Sequence, residues 1–543
     1  MTMKAGSRGW LPRCLAALAA AGVILTAAAT EWTAAGGKEG LVRSEVLVYG
    51  GTAGAVIAAL SAAAEGADTV LIAPTAHLGG MTTSGLGRTD VGVARVIGGR
   101  AAECYSRIGA VYGKAAAWDF EPSVAEKVIE TWVAESALHV YRECRIGGVA
   151  KQGGNITSIR AGGRRFLARV YIDGSYEGDL MAAAGISHSL GRESRKESGE
   201  TLAGVRGSSL HHRFSVPVSA LLDGGGLVPL VEPGPPGPPG TGDDGLPAYT
   251  YRLCISRQPD NRVPFTPPEG YRSSRYELLH RYLVKATVDL DDLLLIWPLP
   301  NDKADLNNRG PISTDYIGGS HDYPTASWRR RRQIEREHEE YIRGLLWFLV
   351  SDPGVPRAIR EELGQWGLAA DEFISNGNWP HQVYIREARR LNGMARLVEA
   401  DVLLGRSCPD SIGMGSYQID SHHVHRYATA EGLACNEGDI QVAARPYQIP
   451  YGIMLPRPEE CRNLLVCTCV SATHVAFSSL RMEPQFMIMG HAAGVAAAMA
   501  AANGLAVQAV VLTELQDRLQ AQGQVLSLGA LAAPALPDPR TGR

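Results

Sequence analysis

The chain has 543 residues, of which 45% are hydrophobic and 20% charged, with a formal net charge of -3. This length holds two or three domains around a sizeable core, and the near-neutral balance gives no general case for a nucleic-acid partner. Nine cysteines are scattered from Cys14 to Cys469 with no pair of C-x-x-C motifs, so no metal site of the zinc type is expected.

In chain order, Lys4, Arg8 and Arg13 precede an apolar run from Cys14 to Ala29, and Ala27-Ala28-Ala29 offers small residues just before Thr30. Residues 1–29 therefore read as a secretory signal peptide, which predicts an exported protein, periplasmic or extracellular. A retained N-terminal anchor is the competing reading, and it is the only membrane attachment expected. From Ser44 the pattern is strand, turn, helix, strand: an apolar run Val46 to Tyr49, then Gly50-Gly51, an alanine-rich segment to Gly66 and a second apolar run, Thr69 to Ile72. That is the opening of a dinucleotide-binding βαβ unit, in which glycines let the backbone turn close to a pyrophosphate and a helix N-terminus faces the anion. Gly50 and Gly51 meet that demand, with Thr52, Gly54 and Ala55 completing an imperfect G-x-G-x-x-G. The acid that ordinarily holds a ribose at the end of the second strand is missing, because that position is Ala73.

Pro122 opens a helix read through Val140, and Ala150 to Val170 alternates around Gly153-Gly154 and Gly162-Gly163 as a hairpin. The strand Phe166 to Ile172 leads to Asp173, a carboxylate at a sheet edge where a cofactor passes, while Glu177 and Asp179 suit the start of the next helix. The stretch 233–245 is a proline and glycine linker. Arg329 to Phe348 reads as a helix with a mostly solvated charged face. Gln382 to Ala400 reads as another, with Arg386 and Arg390 on one side where they would clamp a carboxylate or sugar hydroxyls. His422, His423 and His425 beside Asp420 lack the spacing of a compact metal site. A buried strand at Asn463 to Cys467 returns the chain to the first half, and a small-residue helix through Gly490 and Gly494 offers N-terminal amides that favour negative charge on a ligand.

Gly50-Gly51-Thr52-Ala53-Gly54-Ala55 followed by Leu78-Gly79-Gly80-Met81-Thr82-Thr83-Ser84-Gly85 resembles the start of a bacterial family of FAD-dependent oxidoreductases, related more remotely to the flavoprotein subunits of succinate dehydrogenase and fumarate reductase. The likeness continues through Tyr171 to Leu180, Asn307-Asn308 with Thr314-Asp315, Trp379-Pro380 with Arg386 to Arg390, Ser416 to His422, and Ser471 to Gly494. It implies an α/β fold, a Rossmann-like FAD/NAD(P)-binding domain with a large inserted α+β substrate-side domain. The FAD-binding part is expected at 44–200 and 461–505, the insertion at 201–460, and a C-terminal helix and tail at 506–543. It also implies that Gly79, Gly80 and Met81 run along FAD, joining Gly50, Gly51, Thr52, Gly54, Ala55, Asp173, Gly490 and Gly494 as cofactor-binding residues.

The function expected is an FAD-dependent oxidoreductase acting on a small organic or carbohydrate-derived substrate and passing electrons to an acceptor that no motif names. His474 and His422 are the candidates for proton transfer, and Arg481 and Arg386 for anchoring the substrate. A non-redox, FAD-containing polysaccharide lyase and a degenerate carbohydrate-binding protein are the alternative readings.

Overall fold

The computed structural model describes residues 40–207 and 209–529. The segment 1–29, on which export and membrane anchoring rest, lies outside the described residues, as does the tail beyond Gly529.

β1 (Gly40–Arg43) leads into β2 (Val46–Tyr49), whose residues are all buried. A continuous apolar run, not an alternating one, is what a parallel strand covered on both faces requires. Gly50, at φ 138°, turns the chain into α1 (Ala53–Ala64), and β3 (Thr69–Ile72) returns parallel to β2. α2 (Pro122–Ala134) begins where Pro122 predicts but is shorter than expected. Its last predicted residues form instead β4 (His139–Tyr141), an edge strand parallel to β3, where Val140 and Tyr141 suit a pleated surface. β5 (Ile146–Gln152), β6 (Asn155–Ala161) and β7 (Arg164–Leu167) are joined by the two Gly-Gly turns, and all four glycines have positive φ, the backbone that tight hairpins demand. β8 (Val170–Asp173) and α3 (Asp179–Ala183) complete the first crossing of the sheet.

The inserted part carries its own antiparallel sheet. Its strands are β9 (Leu253–Ser256), β10 (Arg262–Pro264), β11 (Leu294–Pro298), β12 (Lys303–Asn308) and, after the long helix α4 (Trp328–Ser351), β13 (Gly367–Ala369), in the order β10-β13-β9-β12-β11. The stretch 233–245 is irregular, as its prolines and glycines require, but it is packed and not a free spacer. Asp243 pairs with buried Arg192 and with His425, and the backbones of Arg192 and Asp243 bridge. α4 is likewise only half solvated: Ile334, Tyr341, Leu345 and Phe348 are buried, and so is Arg331, which donates to both oxygens of Asp179 at 2.7 and 2.9 Å.

The helix expected over 382–400 is absent as far as Val398, and only its last two residues enter a short helix (Glu399–Leu404). The chain runs extended, with the Tyr384 N–H donating to the Thr250 carbonyl and that of Leu391 to Cys469. The charges between Arg386 and Arg390 reach different elements: Arg386 meets Asp315, Glu387 meets His474, Arg389 meets Asp179 and Arg390 meets Glu193, while Glu387 and Arg390 also pair with each other and Arg396 shares Glu193. Four buried charges with four separate partners are satisfied by an extended strand and not by one helix face.

β14 (Leu464–Val466) then pairs with β8, giving the parallel order β14-β8-β2-β3-β4. α5 (His474–Leu480) follows, capped by Thr473, and then α6 (Glu483–Asn503), which starts seven residues before Gly490. A Cβ on Gly490 would lie 2.2 Å from the Gly54 carbonyl oxygen, and one on Gly494 would lie 2.2 Å from that of Ala58. These glycines therefore let α6 lie directly on α1, and the expected contact of Gly490 and Gly494 with the cofactor gives way to helix packing. α6 is apolar and long enough to cross a membrane, yet it is the buried core helix here. All eight described cysteines are free thiols.

Candidate active site

The carboxyl edge of the parallel sheet opens on a cavity of about 580 Å³ lined by Pro74, Thr75, Glu143 and Arg145 on one side and by Arg332, Glu335, Arg336 and Glu339 of α4 on the other. A narrower inner cavity continues it past Gly51, Thr52, Gly80 and Ser84 to Gln382 and Val383. The Thr52 hydroxyl accepts from the Ala55 N–H at 3.0 Å and donates to the Gly174 carbonyl at 2.7 Å. It thus caps α1, whose earlier amides have no acceptor within the helix. A turn lined by glycine, a helix N-terminus and two arginines along the groove form a fitting cradle for a dinucleotide pyrophosphate. Gly51, Thr52 and Gly80 line it.

Other expected cofactor residues act behind the groove. A Cβ on Gly54 would meet the Phe486 carbonyl at 2.8 Å, and Ala55 packs where Gly174 has no side chain. Gly79 enters a left-handed turn and donates to the Gly51 carbonyl at 2.7 Å. Asp173 is wholly buried and accepts from the Ser175 N–H and hydroxyl and the Met181 N–H, so it orders the turn into α3 and does not reach a ligand. Burial raises it to about 6. Met81 is buried and its N–H donates to the Tyr176 hydroxyl, which donates to Glu483 at 2.5 Å.

Glu483 was not singled out by the sequence reading. It joins α6 to the glycine-rich turn, because Thr82 also donates to it at 2.9 Å, and burial pushes its carboxyl up to about 7. Replacing it with alanine strands two buried hydroxyls. Glu483→Ala should therefore lower the unfolding free energy by about 2–4 kcal/mol, with Glu483→Gln costing clearly less, as denaturant unfolding will read.

Beyond Val383 lies a buried charged cluster. The hydroxyl of the next residue, Tyr384, accepts from Arg481 at 3.1 Å, and Arg481 donates to the Asp420 carbonyl at 2.7 Å and carboxylate at 3.2 Å. Arg386 donates to Asp315 at 2.9 Å, and the other Asp315 oxygen lies 2.6 Å from His422 Nδ1. Burial opposes ionisation of Asp315 and Asp420, yet the arginines and His422 beside them hold both well below the usual carboxylate range. Burial and Arg386 oppose charging of His422, but Asp315 and Asp420 outweigh them and raise it. The Asp315 contact requires a proton on Nδ1, which leaves Nε2 of the neutral ring as a lone pair. Its nearest carboxylate, Asp420, is 3.7 Å away, beyond hydrogen-bond reach.

His474 contrasts with His422. Its Nδ1 lies 2.8 Å from Glu387 and its Nε2 lies 3.2 Å from the Ser421 hydroxyl. Burial, with Arg390 and Arg192 nearby, lowers it to about 3. Both nitrogens are committed, so the expected proton transfer by His474 gives way to a positioning contact beneath the segment that carries His422.

A histidine cluster does form, but not the one the triplet suggests: Glu232, His321 and His425 converge. The Leu246 N–H donates to His321 Nδ1 at 3.0 Å, so Nε2 of that ring carries a proton and offers no metal a lone pair. His425 is held at 3.1 Å by Glu232 and at 3.2 Å by Asp243. Those carboxylates overcome burial and raise it from 6.5 to about 9, with His321 and Arg192 the facing basic groups. A raised folded-state value means stability that is fully present below about 6.5 and lost as pH rises through about 9. His425→Gln should accordingly destabilise the protein strongly at pH about 6 and little above pH about 9.5, read as the difference in melting temperature from the parent.

The family model for FAD dependent oxidoreductases matches residues 45–519. No curated protein matches the sequence. Among solved structures, a geranylgeranyl bacteriochlorophyll reductase-like protein from Thermoplasma acidophilum aligns at 12% identity and a TM-score of 0.34, covering 89% of this chain and 85% of that one. AlpK aligns at 10% identity and 0.26, covering 48% and 43%. The 3-ketosteroid-delta4-(5alpha)-dehydrogenase from Rhodococcus jostii aligns at 14% identity and 0.20, covering 28% and 50%. The chain thus spans half or less of the latter two, and the family match alone carries the assignment.

Proposed function

Because the chain belongs to the family of FAD dependent oxidoreductases, we propose that it oxidises a hydroxyl-bearing small organic or carbohydrate-derived molecule at the joint between the FAD-binding part and the insertion. The bound FAD supplies an acceptor for the hydrogen and electron pair of a C–H bond. The residues of this chain bind and orient that bond and take the hydroxyl proton. His422 Nε2 is the base, Asp315 fixes its tautomer and stabilises the imidazolium, and Arg386 in turn holds Asp315. Arg481, held by Tyr384 and Asp420, anchors an oxygen of the substrate.

The observation that carries this reading is the Arg386–Asp315–His422 chain, which leaves one imidazole nitrogen free in an otherwise fully paired cluster. Arg386 follows three residues after Val383, the last residue of the inner end of the groove, and Tyr384 between them holds Arg481. Anaerobic mixing of the FAD-loaded protein with a panel of sugars, sugar acids and hydroxy acids tests it. Bleaching of the flavin by a member of the panel, with the ketone or aldehyde recovered in equal amount, supports the oxidation. Cleavage of a sugar with no bleaching would speak for the lyase instead.

A further inference from the structure

We propose that α4 of the insertion is the second wall of the FAD site, with Arg145 and Arg332 meeting the pyrophosphate and Glu335 taking the ribose hydroxyls in place of the acid missing at Ala73. The inference rests on the reading of the chain as an FAD protein and adds which residues grip the adenosine half.

The outer and inner cavities share Pro74, Thr75, Arg145, Arg332 and Glu335 among their lining residues. Glu335 is the only carboxylate among the described residues that lines both, since Glu143 and Glu339 line the outer one alone and Glu177 the inner one alone. Pro74 and Thr75 directly follow β3 and Ala73, where a dinucleotide fold ordinarily places its ribose acceptor. A carboxylate arriving there from the facing wall restores the missing acceptor from outside the βαβ unit. Glu335 is preset for this, because the Tyr323 hydroxyl donates to one of its oxygens at 3.0 Å while Arg332 stands 3.6 Å from the other.

Arg145 and Arg332 are likewise the only arginines shared by both cavities. Among the described residues no carboxylate forms an ion pair with Arg145, whose guanidinium stacks 4.9 Å from the Trp328 ring. An unpaired cation on an aromatic shelf beside Gly51 and Thr52 suits a dianionic bridge. The helix that reads as a solvated charged face thereby gains a ligand. It also follows that the adenosine half fastens the insertion to the FAD-binding part, alongside the Arg331–Asp179 pair one residue away from Arg332.

The test uses the full chain, freed of flavin and titrated with FAD, ADP and 2′-deoxy-ADP. The parent should bind FAD and ADP and weaken for 2′-deoxy-ADP. Arg332→Ala should weaken FAD and ADP together by about 10-fold or more, as loss of a charge-assisted contact does. Glu335→Gln should weaken ADP while losing the discrimination against 2′-deoxy-ADP, an effect that general unfolding does not produce. Variants that match the parent on both counts, in a parent that binds FAD, overturn the inference and leave the FAD reading intact. A folded parent that binds neither FAD nor ADP overturns both. Arg330→Ala, on the same helix but lining neither cavity and paired with Glu337, serves as the control and should leave FAD affinity within about 2-fold of the parent.

Discussion

Gly50→Val is expected to leave no soluble, FAD-bearing protein, and Gly51→Val to give a folded chain that has lost FAD. At Gly50 a Cβ would stand 2.6 Å from the carbonyl carbon and oxygen of Gly174, and the backbone sits at φ 138°, where a branched side chain is strained before it meets anything. The clash is with the backbone just beyond β8, so no rotamer relieves it, and the loss should exceed about 4 kcal/mol. At Gly51 the nearest atom is the His77 carbonyl oxygen at 3.2 Å, a contact that small shifts absorb, while the residue itself lines the inner cavity. Valine there fills the approach to the helix N-terminus and should reduce FAD occupancy by about 10-fold or more with little change in the circular dichroism of the fold. Equal FAD per mole of protein in Gly51→Val and parent would remove the groove from the cofactor site.

The second large effect is expected at His422. His422→Gln should slow flavin reduction by the substrate by about 10²–10⁴-fold while FAD occupancy stays at the parent level, since a positioned base contributes on that scale and the residue does not line the groove. The sign of the pH dependence follows from the raised value of the imidazole. The base works only when neutral, so the parent rate should fall as pH drops through that raised value and level off above it, and the acid limb should vanish in His422→Gln. His474→Ala is the comparison that separates chemistry from support. Its loss takes a buried partner from Glu387, which keeps only Arg390, and from the Ser421 hydroxyl, so it should cut stability, whereas the pH limb set by His422 should survive in the folded fraction. A pH profile that is the same in His422→Gln and parent would take the proton away from this residue.

The βαβ opening was legible because two local rules agree there: an apolar run ending in Gly-Gly, and an alanine-rich periodic stretch before a second run. The α/β class, the return strand at Leu464 and the FAD cofactor follow from such local and family-like blocks. Arg386 and Arg481, both offered by the sequence as substrate anchors, lie in one buried cluster, and anchoring by them is part of the proposal. What failed was mostly long-range. The stretch 382–400 has helix-like charge spacing, but the four charges between Arg386 and Arg390 each find a partner far away in the sequence, from Asp179 to His474, and no window reveals that. Asp173 was placed at the cofactor because sheet-edge carboxylates reach ligands. Three nearby donors, two of them on Ser175, capture it first. Gly490 and Gly494 read as cofactor-binding residues of a helix that turns its amides to the flavin and serve as room for α1, a distinction that depends on which helix lies opposite. Glu483 was missed although a lone acid between Met482 and Pro484 at the head of an apolar helix is a visible oddity.

The central claim is that the flavin ring lies at the inner end of the groove, facing the cluster built on Arg481 and His422. A crystal structure of the full chain with FAD bound measures this directly. The account predicts the adenosine half between Pro74 and α4, the pyrophosphate at Gly51 and Thr52, and the ring beside Ser84 and Val383, with His422 Nε2 and Arg481 across a substrate-sized gap. A ring found in the outer cavity beside Glu143 and Trp379, or a gap lined by neither His422 nor Arg481, would contradict it.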